Sequence, residues 1–264
     1  MEISTIMKKK IEEMISKEIR LDGRGLLEHR KLEITFDVSH NAEGSARVKL
    51  GDTEVIAGVK MDLIEPFKDS PDSGVLTVGA ELLPLASDRF EMGAPAIQAI
   101  ELARLIDRGV RNSECIDMKT LCVKEGEKVW SVSIDIYPIN DGGSLIDTCF
   151  MAAVAALSVA HIPVVKDEKV QYGELSKEKL PITCIPTTIT VYKVGDKFLI
   201  DPLVEEEDAS AARLTFTFTL PEEEIHSMQK TGEDLSEEEI LAMMDIAIKE
   251  AKKLAPKVSA FLKK

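Results

Sequence analysis

Apolar residues recur at helical spacing in four segments of the chain. Residues 3–19 place isoleucines and methionines near a 3.6-residue period among lysines and glutamates, which predicts an amphipathic helix. Pro95 opens a second helical segment with one broad apolar face, and a more uniformly apolar segment covers residues 145–160. Near the carboxyl end, Ser236 with a glutamate three residues later is a capping-box pattern, so a helix is predicted to start there.

Strands are predicted where apolar and polar residues alternate. Residues 32–38 alternate in this way, and the dipeptides Gly51-Asp52 and Gly195-Asp196 each separate two such segments, as in a two-residue hairpin. Residues 166–179 are polar and are predicted to form a surface connection. Strands followed by helices occur twice along the chain, which indicates an α+β fold with a helical layer against each sheet.

Composition narrows the class of protein. The 264 residues are 44% hydrophobic, which is enough for a sizeable core. No apolar run approaches the roughly 18 residues needed to span a bilayer, and the amino-terminal residues lack the layout of a signal peptide. We therefore expect a cytoplasmic protein that makes no contact with a membrane.

Cysteines and charges exclude further classes. The 4 cysteines are irregularly spaced and include no CxxC pair, so neither a disulfide framework nor a zinc site is expected, and no motif indicates a metal or a cofactor. The 47 acidic residues outnumber the 33 basic ones, for a formal net charge of −14. Such a charge repels nucleic acid at long range, so any contact with RNA must be local.

Three arginines form the first candidate site. Arg104, Arg108 and Arg111 follow an i, i+4, i+7 spacing, which places their guanidinium groups on one face of the second helix. Like charges so placed repel one another, and RNA phosphate is the anion that would neutralise them. Ion pairs with Glu101 and Asp107 on the same helix explain the spacing equally well, so both interpretations remain open.

A glycine-containing loop forms the second candidate site. It precedes the third helix, where free backbone N–H groups and the helix dipole can hold a phosphate, and it consists of Gly142, Gly143, Ser144 and Leu145. The same residues can also be a simple turn in which Asp141 or Ser144 caps the helix. The loop alone is weak support for a binding site.

A cluster of carboxylates after a strand is the third candidate. It could bind a hard cation or supply a general acid, and its members are Asp201, Glu205, Glu206, Glu207 and Asp208. Acidic runs are more often solvated loops, and this interpretation is favoured here. Two further acidic runs, residues 222–224 and 237–239, are predicted to lie at helix starts.

Five segments, in this order, carry a resemblance to a known family. They are DGRG at residues 22–25, FEMGAP from residue 90, ELARLIDRGVR from residue 101, VWSVSIDIYPINDGG from residue 129 and IDPLVEEEDA from residue 200. Over most of its length the chain resembles the RNase PH family, in particular the non-catalytic members that belong to the ring of the archaeal exosome.

The resemblance implies a fold with three parts. It implies an amino-terminal helix and arm (residues 1–27), then an α+β core of the ribosomal protein S5 domain 2 type (residues 28–165). A smaller α+β carboxyl-terminal RNase PH domain (residues 166–264) would follow. This agrees with the α+β pattern of strands and helices.

The resemblance also implies loss of catalysis. In catalytic members the loop reads GGSR or GGTR, and its arginine helps to hold the phosphate that attacks RNA. Leu145 stands at that position here, and leucine can neither donate a hydrogen bond nor offset charge. Asp201 matches the first acidic position of the catalytic pattern, but the spacing from Asp201 to Asp208 is one residue longer than that of the usual aspartate pair. We therefore expect a chain with no catalytic residues.

The implied role is in RNA binding and in structuring the active site of a catalytic RNase PH-like partner. Three heterodimers with that partner would form a hexameric ring, and cap proteins with S1 or KH domains would bind to the ring. The complex would degrade and process single-stranded RNA from its 3′ end by phosphorolysis. Arg104 and Arg108 match positions where the family's helix faces the RNA, and Arg111 matches the arginine of the DRGxR pattern. All three are expected to contact the RNA backbone, and a structural role stays open for Arg111. The alternatives are an active phosphorolytic exoribonuclease that uses Asp201 or Asp208 with Ser144, and a pure assembly scaffold without RNA contacts.

Overall fold

The amino-terminal half is built on a six-stranded sheet. The computed structural model describes residues 3–166 and 169–262, with side chains up to residue 258. The strands of this sheet are β1 (Leu32–Phe36), β2 (Gly44–Leu50), β3 (Thr53–Ile64), β4 (Val75–Ala80), β5 (Cys122–Lys124) and β6 (Lys128–Asn140). Their order is β1-β2-β3-β6-β4, with β5 paired to β6. Neighbours are antiparallel except β4 and β6, which run parallel.

Two helices cover one face of this sheet. Helix α3 (Leu145–Val159) is buried from Ile146 to Leu157, and it packs on β2 and β3. The approach is close, because a Cβ at Gly44 would lie 2.5 Å from the Ala156 carbonyl oxygen. Helix α2 (Ile97–Asn112) packs on β4 and α3 and leaves one face in solvent. The sheet and these helices share one apolar core.

A second, four-stranded sheet forms the carboxyl-terminal half. All of its neighbours are antiparallel, in the order β10-β9-β11-β12. Its strands are β9 (Thr187–Val194), β10 (Lys197–Ile200), β11 (Ala212–Thr219) and β12 (Glu224–Gly232). Helix α5 (Glu237–Leu262) packs on β9 and β11, and the short helix α4 (Val204–Ala209) lies between β10 and β11 in the chain.

The amino-terminal helix belongs spatially to this second half. Helix α1 (Thr5–Ser16) contacts α4, and its buried Ile11 and Ile15 pack with Tyr192, Val194 and Leu199 of the second sheet. Asp147, near the amino end of α3, accepts a hydrogen bond from Thr190 of β9, so this end of the helix lies where the two halves meet. The apolar core is continuous across both sheets. These helices and sheets confirm the predicted α+β class.

Three elements differ from the sequence-based predictions. The residues predicted to form a surface connection instead form a hairpin, β7 (His161–Lys166) and β8 (Lys169–Lys179). The run at residues 222–224 starts no helix: residues 222–223 lie in the turn between β11 and β12, and Glu224 begins β12, where it pairs with Thr219. The acidic run at residues 205–208 lies in α4, where a solvated loop is the favoured expectation.

The hairpin also bears on the predicted domain division. Its two strands lie on either side of residues 167–168, so a boundary between residues 165 and 166 would fall at the end of β7. That boundary stays a prediction. In the described residues no helix is long and apolar enough to cross a membrane.

Candidate functional site

The loop before α3 is held by a network that starts at Arg30. Strand β6 ends at Asn140, and the Arg30 guanidinium then donates to the carbonyl oxygens of Gly142 (2.8 Å) and Gly143 (2.9 Å). Gly143 has a φ of 90°, and a Cβ there would lie 2.3 Å from the Pro202 carbonyl oxygen. The loop carbonyls therefore point into protein contacts, and position 143 requires glycine.

The same hydrogen-bond network includes Asp201, the first of the acidic candidates. Asp201 is fully buried and accepts hydrogen bonds from the guanidinium groups of Arg30 (2.6 Å) and Arg24 (2.9 Å). The backbone N–H of Arg30 also donates to it at 2.6 Å. With its oxygens held in this way, Asp201 links the arm to the loop, and it does not line the cavity described below.

A carboxylate lies at the amino end of α3. The backbone N–H of Ser144 donates to Oε1 of Glu207 at 2.8 Å, and the Tyr192 hydroxyl donates to the same oxygen at 2.8 Å. Burial raises the pKa of the Glu207 carboxyl to about 7, although both donors favour the charged form. Ser144 itself adopts a left-handed conformation, with φ 54°, and does not cap the helix through its side chain. Its hydroxyl is buried without a partner in the described structure.

Glu207 and Tyr192 line a cavity of about 310 Å³ that lies between the two halves of the fold. Its charged lining consists of two guanidinium groups and four carboxyls, from Arg89, Arg213, Glu101, Asp141, Glu207 and Asp208. Leu145 contributes apolar surface to the same wall. Burial also raises the pKa of the Asp141 carboxyl. The cavity therefore carries more acidic than basic groups.

Two ion pairs occupy the guanidinium groups of the cavity. Arg89 donates to both oxygens of Asp208, at 2.9 and 2.5 Å. Arg213, on β11, donates to Glu101 of α2 at 2.8 Å. Both arginines are therefore already paired with carboxylates of the protein, so neither is free to bind an added anion. Asp208 is likewise ion-paired, which does not suit a general acid.

A further buried carboxyl lies in the first turn of α3. Asp147 accepts from the backbone N–H of Thr190 (3.0 Å) and from its hydroxyl (2.7 Å). Burial raises the pKa of Asp147 to about 7. This side chain links α3 to β9 and does not line the cavity, so its role is structural.

The three arginines of α2 divide into two kinds. Arg111 donates to Asp107 at 2.6 Å and to the carbonyl oxygen of Leu76 at 3.1 Å. Arg104 and Arg108 are exposed, and neither has an ion pair or hydrogen bond within the described residues. Of the three arginines, only Arg111 therefore forms the ion pair within the helix that the spacing allows.

The acidic run is tied into the fold far more than a solvated loop would be. Glu206 is fully buried and forms an ion pair with Arg20 at 2.6 Å. Glu207 accepts a hydrogen bond from the amino end of α3, and Asp208 forms an ion pair with Arg89. Glu205 is exposed. The expectation of a solvated loop is therefore wrong. Among the described residues no group of three or more histidine, cysteine or acidic side chains is arranged to hold a metal.

Sequence patterns do not reveal several residues of this site. These residues lie in ordinary strand or loop contexts, and their partners are 15 to 171 positions away in the chain; they are Tyr192, Arg30, Arg89 and Arg213. The segments that resemble RNase PH members contain Arg24 and Glu207, yet nothing in the local pattern assigns either a contact. Only the folded arrangement brings these groups together.

Models of a known enzyme family match both halves of the chain. The model for domain 1 of the 3′ exoribonuclease family matches residues 28–163, and the model for domain 2 matches residues 184–250. The chain belongs to the 3′ exoribonuclease family. Its fold is accordingly the RNase PH fold, as the resemblance implies.

Relatives within the 3′ exoribonuclease family are similar over nearly the whole chain. The protein named exosome complex component Rrp42 in Archaeoglobus fulgidus is 46% identical over 90% of both chains. The protein of the same name in Pyrobaculum aerophilum is 43% identical over 99% of this chain and 96% of its own.

Solved structures agree with these relatives. A chain from an Archaeoglobus fulgidus exosome with RNA bound to the active site superposes with a TM-score of 0.88 at 42% identity, covering 96% of this chain and 97% of its own. A chain from an archaeal exosome core gives a TM-score of 0.84 at 39% identity, covering 96% of each chain.

Proposed function

We propose that this chain is a non-catalytic subunit of an exosome that degrades RNA from the 3′ end by phosphorolysis. Relatives named as exosome components at 46% and 43% identity support the assembly. In the proposed assembly the chain pairs with a catalytic RNase PH-like subunit, and three pairs form a hexameric ring that receives single-stranded RNA. Cap proteins with S1 or KH domains and a cytoplasmic location complete the proposal.

The observation that carries the non-catalytic role is the Glu207 carboxylate on the Ser144 backbone N–H, at 2.8 Å. The amino end of a helix is where backbone N–H groups and the helix dipole hold an attacking phosphate. Here the protein's own carboxylate takes that position. A phosphate dianion would have to displace a group that Tyr192 also holds.

The surroundings of Glu207 add to this effect. Leu145 provides no charge at the position that the family resemblance assigns to a phosphate-binding arginine. The cavity is lined by four carboxyls and two guanidinium groups, and both guanidinium groups are already paired. Phosphate would therefore enter a site with a net negative charge, where repulsion opposes its binding.

Phosphate-dependent release of nucleoside diphosphates from single-stranded RNA tests the non-catalytic role. We expect no release by this chain alone and release by the chain mixed with its catalytic partner. Substituting Leu145→Arg and Glu207→Gln together in this chain should leave the rate of the mixture within about two-fold, since its chemistry takes place on the partner. Robust release by the unmodified chain alone would overturn the proposal.

The exposed arginines support the proposed contact with RNA. Arg104 and Arg108 lack partners in the described structure, whereas Arg111 is already paired with Asp107. We therefore expect Arg104→Glu with Arg108→Glu to weaken binding of single-stranded RNA by the assembled ring. Arg111→Gln should weaken it less. Unchanged RNA affinity of the double variant would leave the chain as an assembly scaffold only.

A further inference from the structure

A groove between α2 and β12 lies beside the exposed arginines. We name it the α2–β12 groove, and its volume is about 290 Å³. Its walls include Ile97, Ile100, Arg104, Arg108, Gln229 and Lys230. One wall belongs to the first half of the fold and the other to the edge strand of the second sheet. Nothing in the sequence pattern brings Gln229 and Lys230 to the arginines.

Hydrogen bonds at both ends fix the two walls relative to each other. At one end, Glu101 of α2 accepts from Arg213 (2.8 Å) and from the hydroxyl of Thr231 (3.1 Å). At the other end, the Asn112 side-chain amide donates to the His226 carbonyl oxygen at 3.1 Å. Arg104 and Arg108 lie between these two points along the helix. The groove is therefore preorganised.

The groove concentrates positive charge on an acidic protein. Arg104 and Arg108 have no ion pair within the described residues. The Lys230 ammonium donates to the Gly232 carbonyl oxygen at 3.0 Å, and its nearest carboxylate is Asp234, fully exposed and 3.8 Å away. The groove's own acid, Glu101, is neutralised by Arg213. Two arginines without an ion pair and a lysine whose one carboxylate partner is fully exposed thus line one groove, on a chain of net charge −14, and this favours a polyanion as ligand.

The remaining groups suit a single strand of RNA. Gln229 is partly buried, and its amide has no hydrogen-bond partner in the part of the chain that the structure describes. It can both donate to and accept from a ribose 2′-hydroxyl or a base edge. Ile97 is 82% exposed and Ile100 is 49% exposed, and they offer apolar surface to the faces of unstacked bases.

We infer that the α2–β12 groove holds the backbone of single-stranded RNA, with Lys230 as a third phosphate contact and Gln229 as a contact to sugar or base. This inference rests on the proposed function and extends its RNA path from the first half of the fold onto the edge of the second sheet. It assigns two RNA-binding residues that the helix alone does not supply.

Charge removal at Lys230 tests the inference. The probe is a fluorescently labelled single-stranded oligoadenylate, titrated with the assembled complex over a range of salt concentrations. Lys230→Gln should lower affinity by roughly three-fold and reduce the slope of log affinity against log salt by about 0.7, the value for one phosphate contact on a single strand. Gln229→Ala should lower affinity and leave the slope unchanged. Lys9→Gln, an exposed lysine of α1 without a partner in the described structure, is the matched control and should change neither.

The outcomes separate this inference from the proposed function. If Lys230→Gln behaves like Lys9→Gln while Arg104→Glu with Arg108→Glu lowers affinity, the groove inference fails and the RNA-guiding role stands. If all of these variants bind as the unmodified complex does, both fail. Loss of ring assembly by Lys230→Gln, with normal RNA affinity in the rings that do form, would assign the groove to the partner protein and overturn the inference.

Discussion

Gly143 is a position where one added carbon should be costly. Its φ of 90° is unfavourable for residues with a side chain, and its missing Cβ makes room for the Pro202 carbonyl oxygen. Gly143→Ala should therefore lower the free energy of unfolding by about 2–4 kcal/mol, from backbone strain and a forced shift of residues 202–204.

A second glycine separates these two causes. Gly195 also has a positive φ, 56°, but an added Cβ there would meet nothing within 4 Å. Gly195→Ala should cost about 1 kcal/mol, the strain alone. Chemical denaturation of both variants measures the difference, and equal losses would show that the contact with residue 202 contributes nothing.

Glu207 should make stability depend on pH. Its pKa in the folded chain is raised to about 7, from an ordinary value of 4.5. Between these values the folded chain keeps a proton that the unfolded chain has lost, so the free energy of unfolding falls as pH rises through that window. Above about pH 7 the full cost of the buried charge is present.

Glu207→Gln removes this dependence and keeps an oxygen that can accept from Ser144 and Tyr192. We expect the variant to gain stability relative to the unmodified chain as pH rises from about 4.5 to 7, by on the order of 2 kcal/mol. Titrating groups that do not interact with Glu207 cancel in the comparison, whereas Asp147 cancels only in part, because the Glu207 charge also raises the pKa of Asp147. Denaturation at several pH values measures it, and a stability difference that does not change with pH would contradict a raised pKa.

At the scale of elements, a buried ion pair joins the segment that follows α1 to helix α4. Arg20 is 2% exposed, and it donates to Glu206 at 2.6 Å and to the carbonyl oxygens of Ile200 and Asp201. Arg20→Met should leave the Glu206 carboxylate buried without its counter-charge and lower the free energy of unfolding by about 3–5 kcal/mol.

An exposed pair on the same arm provides the control. Lys17 pairs with Glu13 at 2.7 Å, with both side chains more than half exposed. Lys17→Met should leave the free energy of unfolding nearly unchanged, because solvent screens that interaction. Urea denaturation of the two variants compares them. A loss with Arg20→Met no larger than with Lys17→Met would show that the arm does not depend on the buried pair.

Elements differ in how much of them the sequence predicts. Both two-residue hairpins form at Gly51 and Gly195, where φ is 59° and 56°, because turn geometry is set by the residues of the turn itself. Helix α5 begins with the predicted capping box, in which Ser236 and Glu239 exchange hydrogen bonds. Signals of this kind depend only on residues close together in the chain, so they can be recognised in the sequence without knowledge of the fold.

Other elements depend on partners distant in sequence. Strand β8 is almost wholly exposed, so no buried face imposes an alternating pattern on it. Helix α4 has six residues and four carboxylates, and its burial depends on Arg20 and on Ser144, which lie some 60 to 190 positions away. The candidate site is affected in the same way. The arginine face of α2 is predictable from spacing, whereas the carboxylate at α3 and the second wall of the groove are not.

At the scale of the whole molecule, a net charge of −14 limits how RNA can bind. Arg104, Arg108 and Lys230 line the α2–β12 groove together and face solvent there. Arg111 is paired and the cavity arginines are paired, so they release few counterions from RNA. For a single strand, each phosphate contact contributes about 0.7 to the slope of log affinity against log salt. Three contacts give a slope of about −2 for the isolated chain.

Fluorescence anisotropy with a labelled oligoadenylate measures this slope for the isolated chain between about 50 and 200 mM salt. We expect weak binding with a slope near −2, and a steeper slope once the catalytic partner adds its own cations. Lys9→Gln should leave the slope of the isolated chain unchanged. A slope of about −4 or steeper for the chain alone would mean that cations outside the groove also bind RNA, and the local character of the contact would then be wrong.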